Sequence, residues 1–235
     1  MSKGAQLSDV EAWLLEHLHE APASLLGQGY QATVHRYDSP FGRIVVKSPH
    51  ESALLGYFGR LAIRREYRIY SQLAGIPGIP AVYGLIDDRH LALESVEGPS
   101  LRDSELEPDA RERFFEQLLA TVDAMHAAGI AHGDLKRKAN ILVGADGRPY
   151  LIDFGIACRS GARGFRRWRF EWTKQHDYNA WIKLKYGRAA ENLSEADARR
   201  YRPLWIERLA RWIRVPWQKI TLRRPRQRLR RWWKS

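Results

Sequence analysis

Four polar residues between His132 and Gly155 have the types and spacing to do chemistry: Asp134, Lys136, Asn140 and Asp153, within HGDLKRKANILVGADGRPYLIDFG. Ile141, Leu142 and Val143 form a short apolar run, Ala145-Asp146-Gly147 signals a turn, and Tyr150, Leu151 and Ile152 form a second run ending at Asp153. That pattern predicts a hairpin which gathers the four polar groups at one end. Asn140 and Asp153 then offer two oxygen ligands for magnesium, and Asp134 is a carboxylate left to accept a proton. Such a cluster suits phosphoryl transfer.

Other stretches must position a phosphate donor against that cluster. Gly27-Gln28-Gly29-Tyr30-Gln31-Ala32 has GxGxxA spacing between Leu25-Leu26 and Thr33-Val34, a strand–turn–strand setting. Glycines there let the backbone approach phosphates with no side chain between, although an ordinary β-turn is the commoner source of such a match. Arg43 to Lys47 is a β-type run ending in a lysine. Residues 51–73 read as a helix carrying Glu66, with Leu61, Tyr67, Tyr70 and Leu73 among its apolar positions and Gly75 and Pro77 as its stop. Ile79–Leu85 and His90–Leu93 read as strands joined at Asp87-Asp88-Arg89. Pro108–Ala128 is a periodic core helix bearing Phe115, Leu118, Leu119, Val122 and Met125, ended by Gly129; its His126 reads as structural. Upstream, Ser8 and Glu11 make a capping box before Val10, Trp13, Leu14 and Leu18, which predicts a helix packed on the body with no part in the chemistry.

The stretch from His132 to Gly155 resembles the catalytic loop and metal-binding turn of the protein-kinase-like superfamily, H-R-D-x-x-x-x-N and D-F-G. The resemblance covers about residues 25–185 and implies an α+β, two-lobed fold with a small β-rich N-lobe and an abbreviated helical C-lobe. It implies ATP and magnesium as cofactors. By matched position, Asp134 orients the acceptor hydroxyl, Lys136 neutralises the transferred phosphoryl group, and Asn140 and Asp153 hold magnesium. Gly27 and Gly29 cover the phosphates, Lys47 contacts them, and Glu66, nineteen residues on, pairs with Lys47. Leu93 flanks the adenine pocket, with backbone groups of Glu94 and Val96 bonding the base. Asp177 resembles the buried aspartate that braces the catalytic loop.

The sequence departs from the family in three places. Five residues, Leu135 to Ala139, separate Asp134 from Asn140 where the family has four, so the loop carries one extra residue beside Lys136. Gly133 replaces the arginine that ties the loop to a phosphorylated activation segment, which removes the expectation of control by such phosphorylation. There is no A-P-E motif, and residues 159–174 are basic and aromatic, with a helix expected to begin at Asp177.

Composition sets the remaining bounds. At 235 residues and 44% hydrophobic content the chain reads as globular, one cysteine permits no internal disulfide, and no run approaches the ~20 apolar residues that span a bilayer. A cytoplasmic protein is expected, peripheral on the inner face of the membrane. The net charge of +12 is concentrated: residues 199–235 hold fourteen Lys and Arg against one acid, Glu207, and five of the nine tryptophans. Ser194 is expected to cap a helix running into this tail. Tryptophan with arginine suits an anionic headgroup layer, the favoured partner, ahead of single-stranded nucleic acid, which the same composition could hold. The expected organisation is an N-terminal helix over 1–23, the small lobe and hinge over 24–98, a shortened large lobe over 99–193 and the tail over 194–235. Three functions fit: a membrane-associated glycolipid kinase resembling bacterial lipopolysaccharide core (Kdo and heptose) kinases, a RIO-like serine/threonine protein kinase, or a non-catalytic nucleotide-binding adaptor. The last is disfavoured by Lys47, Asp134, Asn140 and Asp153 occurring together.

Overall fold

A computed structural model describes residues 3–18, 22–28, 32–49, 53–187 and 193–202. Gly29 and the tail from 203 onward lie outside the described residues. The chain opens with α1 (Lys3–His17), β1 (Ser24–Gln28), β2 (Ala32–Ser39), β3 (Gly42–Pro49), α2 (Ala53–Gln72), β4 (Val82–Ile86) and β5 (His90–Glu94). Helix α3 (Pro108–Ala127), β6 (Ile130–Ala131), a 3-10 turn (Lys138–Asn140), β7 (Ile141–Val143), β8 (Pro149–Leu151), β9 (Cys158–Arg159), α4 (Gly164–Tyr186) and α5 (Glu195–Ala198) follow. This is the expected α+β fold: an antiparallel five-stranded sheet ordered β1-β2-β3-β5-β4, followed by a mainly helical part.

Local chemistry explains the small sheet. Asp87 and Asp88 both take positive φ, 48° and 57°, and Arg89 N–H closes on Ile86 C=O at 3.0 Å, the two-residue turn whose twist suits an antiparallel pair. Against one face of the sheet, Val10 and Leu14 of α1 meet Tyr37, Ile44, Val46, Ile86 and Ala92 in a small core. Helix α1 begins at Lys3, so Ser8 lies inside the helix and is not its cap. No proline interrupts residues 3–17, and nothing obliges the helical backbone to start as late as the capping-box pattern implied.

On the other face lies α2, which sends Ile63, Ile69, Tyr70 and Leu73 into the main core. That core continues through Phe114, Phe115, Leu118, Val122 and Met125 of α3 to Trp181 and Leu184 of α4. Helices α3 and α4 are tied by Trp181 Nε1, which donates to Phe115 C=O at 2.8 Å, and by Tyr178 OH, which donates to Asp123 Oδ1 at 2.7 Å. Helix α4 starts thirteen residues before the expected Asp177. Its first turn has no acidic residue and Arg163 at the N-cap gives no side-chain bond, so local signals for a start are missing. Burial of Phe170, Thr173, Asp177, Ala180, Trp181 and Leu184 along one face supplies the stabilisation instead. The Ser194 cap is present, its Oγ accepting from Asp197 N–H at 3.2 Å. No helix among the described residues is long and apolar enough to cross a membrane.

Candidate active site

The hairpin forms as the sequence predicts, pairing Ile141 with Leu151 and Val143 with Pro149, with Gly147 at φ 75° in its turn. At its base the two prospective metal ligands are linked through the backbone: Ile152 N–H donates to Asn140 C=O at 3.0 Å. Asn140 is buried, and its Nδ2 donates to Asp134 at both the backbone oxygen and Oδ2, each 3.2 Å away. With Nδ2 committed in this way, Oδ1 is the atom left for a cation. Asp153 takes φ 67°, a conformation that a non-glycine residue adopts only under constraint.

The loop bearing Asp134 is held from below. Asp177, fully buried on α4, accepts from the backbone N–H of His132 at 2.7 Å and of Gly133 at 2.9 Å, and it also meets His126 Nε2 at 3.1 Å. His126 is thus structural, as its place on the core helix implied. The buried His132 ring spans the site: Nδ1 accepts Asp134 N–H at 3.2 Å, which leaves Nε2 to donate to Ile152 C=O at 3.1 Å. Asp134 and Asp153 are thereby braced through one imidazole. The aromatic series Tyr70–Phe154–His132, edge-to-face and then tilted with centroid spacings of 4.9 and 4.8 Å, fixes that ring against α2.

Across the cleft, Lys47 Nζ lies 2.6 Å from Glu66 Oε1 and 3.4 Å from Asp153 Oδ1. The nineteen-residue spacing between Lys47 and Glu66 therefore closes into an ion pair, and Glu66 Oε1 also accepts Phe154 N–H at 3.1 Å. Burial pulls the Lys47 pKa down, but Glu66, the Tyr70 hydroxyl and Asp153 outweigh it, holding the ammonium above the ordinary lysine range. Burial likewise pushes the Asp153 carboxyl up, while Lys47, His132 and the Gly155 N–H pull it further down, so it lies below its ordinary value. Both groups are charged at neutral pH.

These residues line one cleft of about 990 Å³. Val34, Val45, Leu93, Leu142 and Ile152 give it apolar walls, and Glu94 to Gly98 form one edge. Glu94 N–H is spent on Ala81 C=O at 2.8 Å, and its carboxylate accepts Ala81 N–H at 2.9 Å, so among its own groups the backbone carbonyl is the one left to face a base. Gly27 lines the cleft from within β1, and a Cβ there would meet nothing within 4 Å. Lys47, Glu66, Glu94, Val96, Asn140, Asp153 and Gly27 are brought together, and Asp134 adjoins them through Asn140. Lys136 is not brought in: it is exposed and absent from the lining, whereas Arg137 stands there. The extra loop residue explains the exchange, since Arg137 N–H bonds Asp134 C=O at 3.1 Å and Arg137 C=O accepts Asn140 N–H at 2.8 Å, pinning Arg137 between the two.

Sequence reasoning missed Arg65. From α2 its guanidinium donates to Gly155 C=O at 2.9 Å and to Ala157 C=O, tying down the segment after the Asp153-Phe154-Gly155 turn. A side chain that bonds only backbone carbonyls leaves no motif. Among the described residues no three His, Cys, Asp or Glu side chains converge on a metal position. Two oxygen ligands with the remaining positions left to water and phosphate are how magnesium is ordinarily held, so Asn140 and Asp153 fit that ion.

Residues 23–185 match the family model described as protein kinase domain. The chain belongs to the protein kinase domain family. Members are phosphotransferases with a hydroxyl acceptor, as the motifs implied. A probable serine/threonine-protein kinase of Streptomyces coelicolor is 30% identical over 154 residues, 60% of this chain and 23% of that protein. The serine/threonine-protein kinase PknH of Mycobacterium tuberculosis is 36% identical over 105 residues, 42% of this chain and 17% of that protein. A probable bifunctional tRNA threonylcarbamoyladenosine biosynthesis protein of Methanosarcina acetivorans is 30% identical over 148 residues, 60% of this chain and 25% of that protein. The kinase domain described here thus spans a quarter or less of the length of these relatives. Between Gly155 and the start of α4 it has only residues 156–163, which contain β9, paired with β6, and no longer activation segment.

Proposed function

We propose that this chain is an ATP-dependent kinase that transfers the γ-phosphoryl group to a protein serine or threonine. The observation that carries the phosphotransfer is the convergence, in one cleft, of a Lys47–Glu66 pair with Asn140 and Asp153, to which Asp134 adjoins through a 3.2 Å bond from Asn140. The relatives named as serine/threonine kinases support the acceptor class.

Val34, Val45, Leu142 and Ile152 would enclose adenine in the cleft, and the Glu94 carbonyl and a backbone group of Val96 would bond it. Gly27 and Gly29 admit the phosphates to the backbone, and Lys47, held by Glu66, meets their charge. Asn140 and Asp153 would hold magnesium, which when bound would supply charge neutralisation to the phosphates. Asp134 orients the acceptor hydroxyl and takes its proton; the acceptor oxygen bonds to phosphorus as the bond to the β–γ bridging oxygen breaks, releasing ADP.

The test is phosphotransfer from labelled ATP to protein acceptors, core oligosaccharide and lipid extract in parallel. Label in protein serine or threonine supports the reading. Asp134→Asn should lower turnover by about 10²–10⁴-fold with ATP affinity nearly intact, because an orienting base acts on the transition state. Turnover unchanged in that variant would overturn the assignment.

A second reading rests on the short 156–163 segment, which leaves little chain to form a peptide-acceptor platform. It takes a glycolipid hydroxyl as acceptor, as the likeness of the catalytic loop to lipopolysaccharide core kinases implies, with the basic tail bringing the enzyme to the inner membrane face. Label in oligosaccharide or lipid alone would favour it.

A further inference from the structure

The first two turns of α4 present a surface that the phosphotransfer chemistry does not use. Phe165 and Trp168 are 70% and 55% exposed, and their rings stack on each other at 5.5 Å with an interplanar angle of 29°. Around them Arg163, Arg166, Arg167 and Arg169 are all exposed, and none pairs with a carboxylate among the described residues. Glu171 is the one acid between Arg159 and His176. Two large apolar rings held in water beside four uncompensated guanidinium groups are costly for a free surface and complementary to an anionic, partly apolar one.

We propose that this face of α4 is a docking surface for an anionic lipid bilayer, with Phe165 and Trp168 entering the headgroup layer and the arginines meeting lipid phosphates. Shape decides between this partner and nucleic acid. Single-stranded nucleic acid is held in grooves by open ring faces on which bases stack. Here each ring gives one face to the other, and the pair stands out on the convex side of a helix, a form that meets a flat surface. Interfacial aromatics with flanking arginines are the side chains that membrane boundaries select. The surface lies close in sequence to the site: Ile156, 62% exposed, lines the nucleotide cleft, and seven residues later the arginine series begins. The same helix braces the catalytic loop through Asp177, so a docked α4 would hold that loop in fixed relation to the bilayer.

This inference stands apart from the acceptor question, because its test contains no ATP. The full chain, tail included, is sedimented with vesicles of phosphatidylcholine containing phosphatidylglycerol, and with phosphatidylcholine alone. Arg169→Gln, one turn on from Phe165 and on the same side of the helix, should weaken partitioning onto the anionic vesicles by about fivefold, and should change little on neutral ones. Phe165→Ser/Trp168→Ser should weaken partitioning onto the anionic vesicles at least tenfold. Hydrogen exchange on the wild type adds a readout that needs no variant: backbone amides of residues 164–169 should slow on anionic vesicles. Variants that partition like the wild type, with no slowing over 164–169, would overturn the proposal and leave membrane binding to other segments. Slowing over 164–169 with an oligonucleotide but not with vesicles would also overturn it, in favour of nucleic acid.

Discussion

Glu66 does two jobs with one oxygen, receiving Lys47 Nζ at 2.6 Å and Phe154 N–H at 3.1 Å. Lys47→Ala leaves the carboxylate buried without its cation, and Glu66→Ala frees both Lys47 and the Phe154 amide. Because the pair acts as a unit, the two substitutions should each depress ATP-dependent activity, and their double-mutant cycle should show a coupling of about 0.5–3 kcal/mol. Additive losses would mean that Lys47 meets nucleotide without help from α2. Arg137 and Lys136 give a second contrast. Lys136 faces solvent and Arg137 lines the cleft, so Arg137→Ala should lower kcat and weaken ATP more than ADP, whereas Lys136→Ala should act weakly. Calorimetric titration of both nucleotides separates the two, and a larger effect at Lys136 would return that lysine to the role implied by the motif. Asp134, Asn140 and Asp153 were legible because their spacing is fixed by the chemistry. Arg137 was not, because a one-residue insertion shifts which side chain faces inward and no spacing rule announces it.

At the scale of elements, Asp177 shows how a helix supports a loop forty-odd residues away in sequence. Its carboxylate satisfies two successive backbone donors, His132 and Gly133, and lies against the buried His126 ring. Asp177→Ala removes all three contacts and leaves buried N–H groups unpaired, at about 1–3 kcal/mol each. The expected outcome is a lowered urea midpoint together with lost turnover; Asp177→Asn, which keeps one acceptor oxygen, should recover part of both. A variant with native stability and activity would show that the loop holds its shape unaided. Most elements could be read from pattern: the core helix α3 from its 3.6-residue period, β4–β5 from paired aspartates at the turn, and α2 from its stop at Gly75 and Pro77. Helix α4 could not, because its opening turns carry arginines and outward aromatics with no cap. Tertiary burial of its other face, invisible in local sequence, decides its start. Helix α1 failed in the opposite sense, since a plausible capping box at Ser8 proved to be helix interior.

Across the whole molecule, the question is what sets the sheet against the helical part so that Lys47 stands over Asp153. The joining segment is not a free hinge: Val143 N–H bonds Pro99 C=O at 2.9 Å, Ala145 N–H bonds Glu97 C=O at 2.9 Å, and Leu101 N–H bonds Ile141 C=O at 2.8 Å. The edge of the cleft is thereby laced to the hairpin that joins Asn140 to Asp153. Gly98 makes the lacing possible, at φ 140° with the Val143 carbonyl where a Cβ would stand. Gly98→Ala must push the segment away from the hairpin or strain the backbone, a loss of about 1–3 kcal/mol. For a chain of this size that corresponds to a fall in melting temperature of roughly 2–12 °C. ATP affinity should fall with it, because Glu94 and Val96 would shift relative to Asn140 and Asp153. Gly27→Ala is the matched control: its Cβ meets nothing within 4 Å, so stability should hold while ATP affinity alone declines. Calorimetric melting with nucleotide titration reads both quantities. Equal melting temperatures for the two variants would mean that the lacing at Gly98 yields freely, and that the cleft is set by the Tyr70–Phe154–His132 contacts.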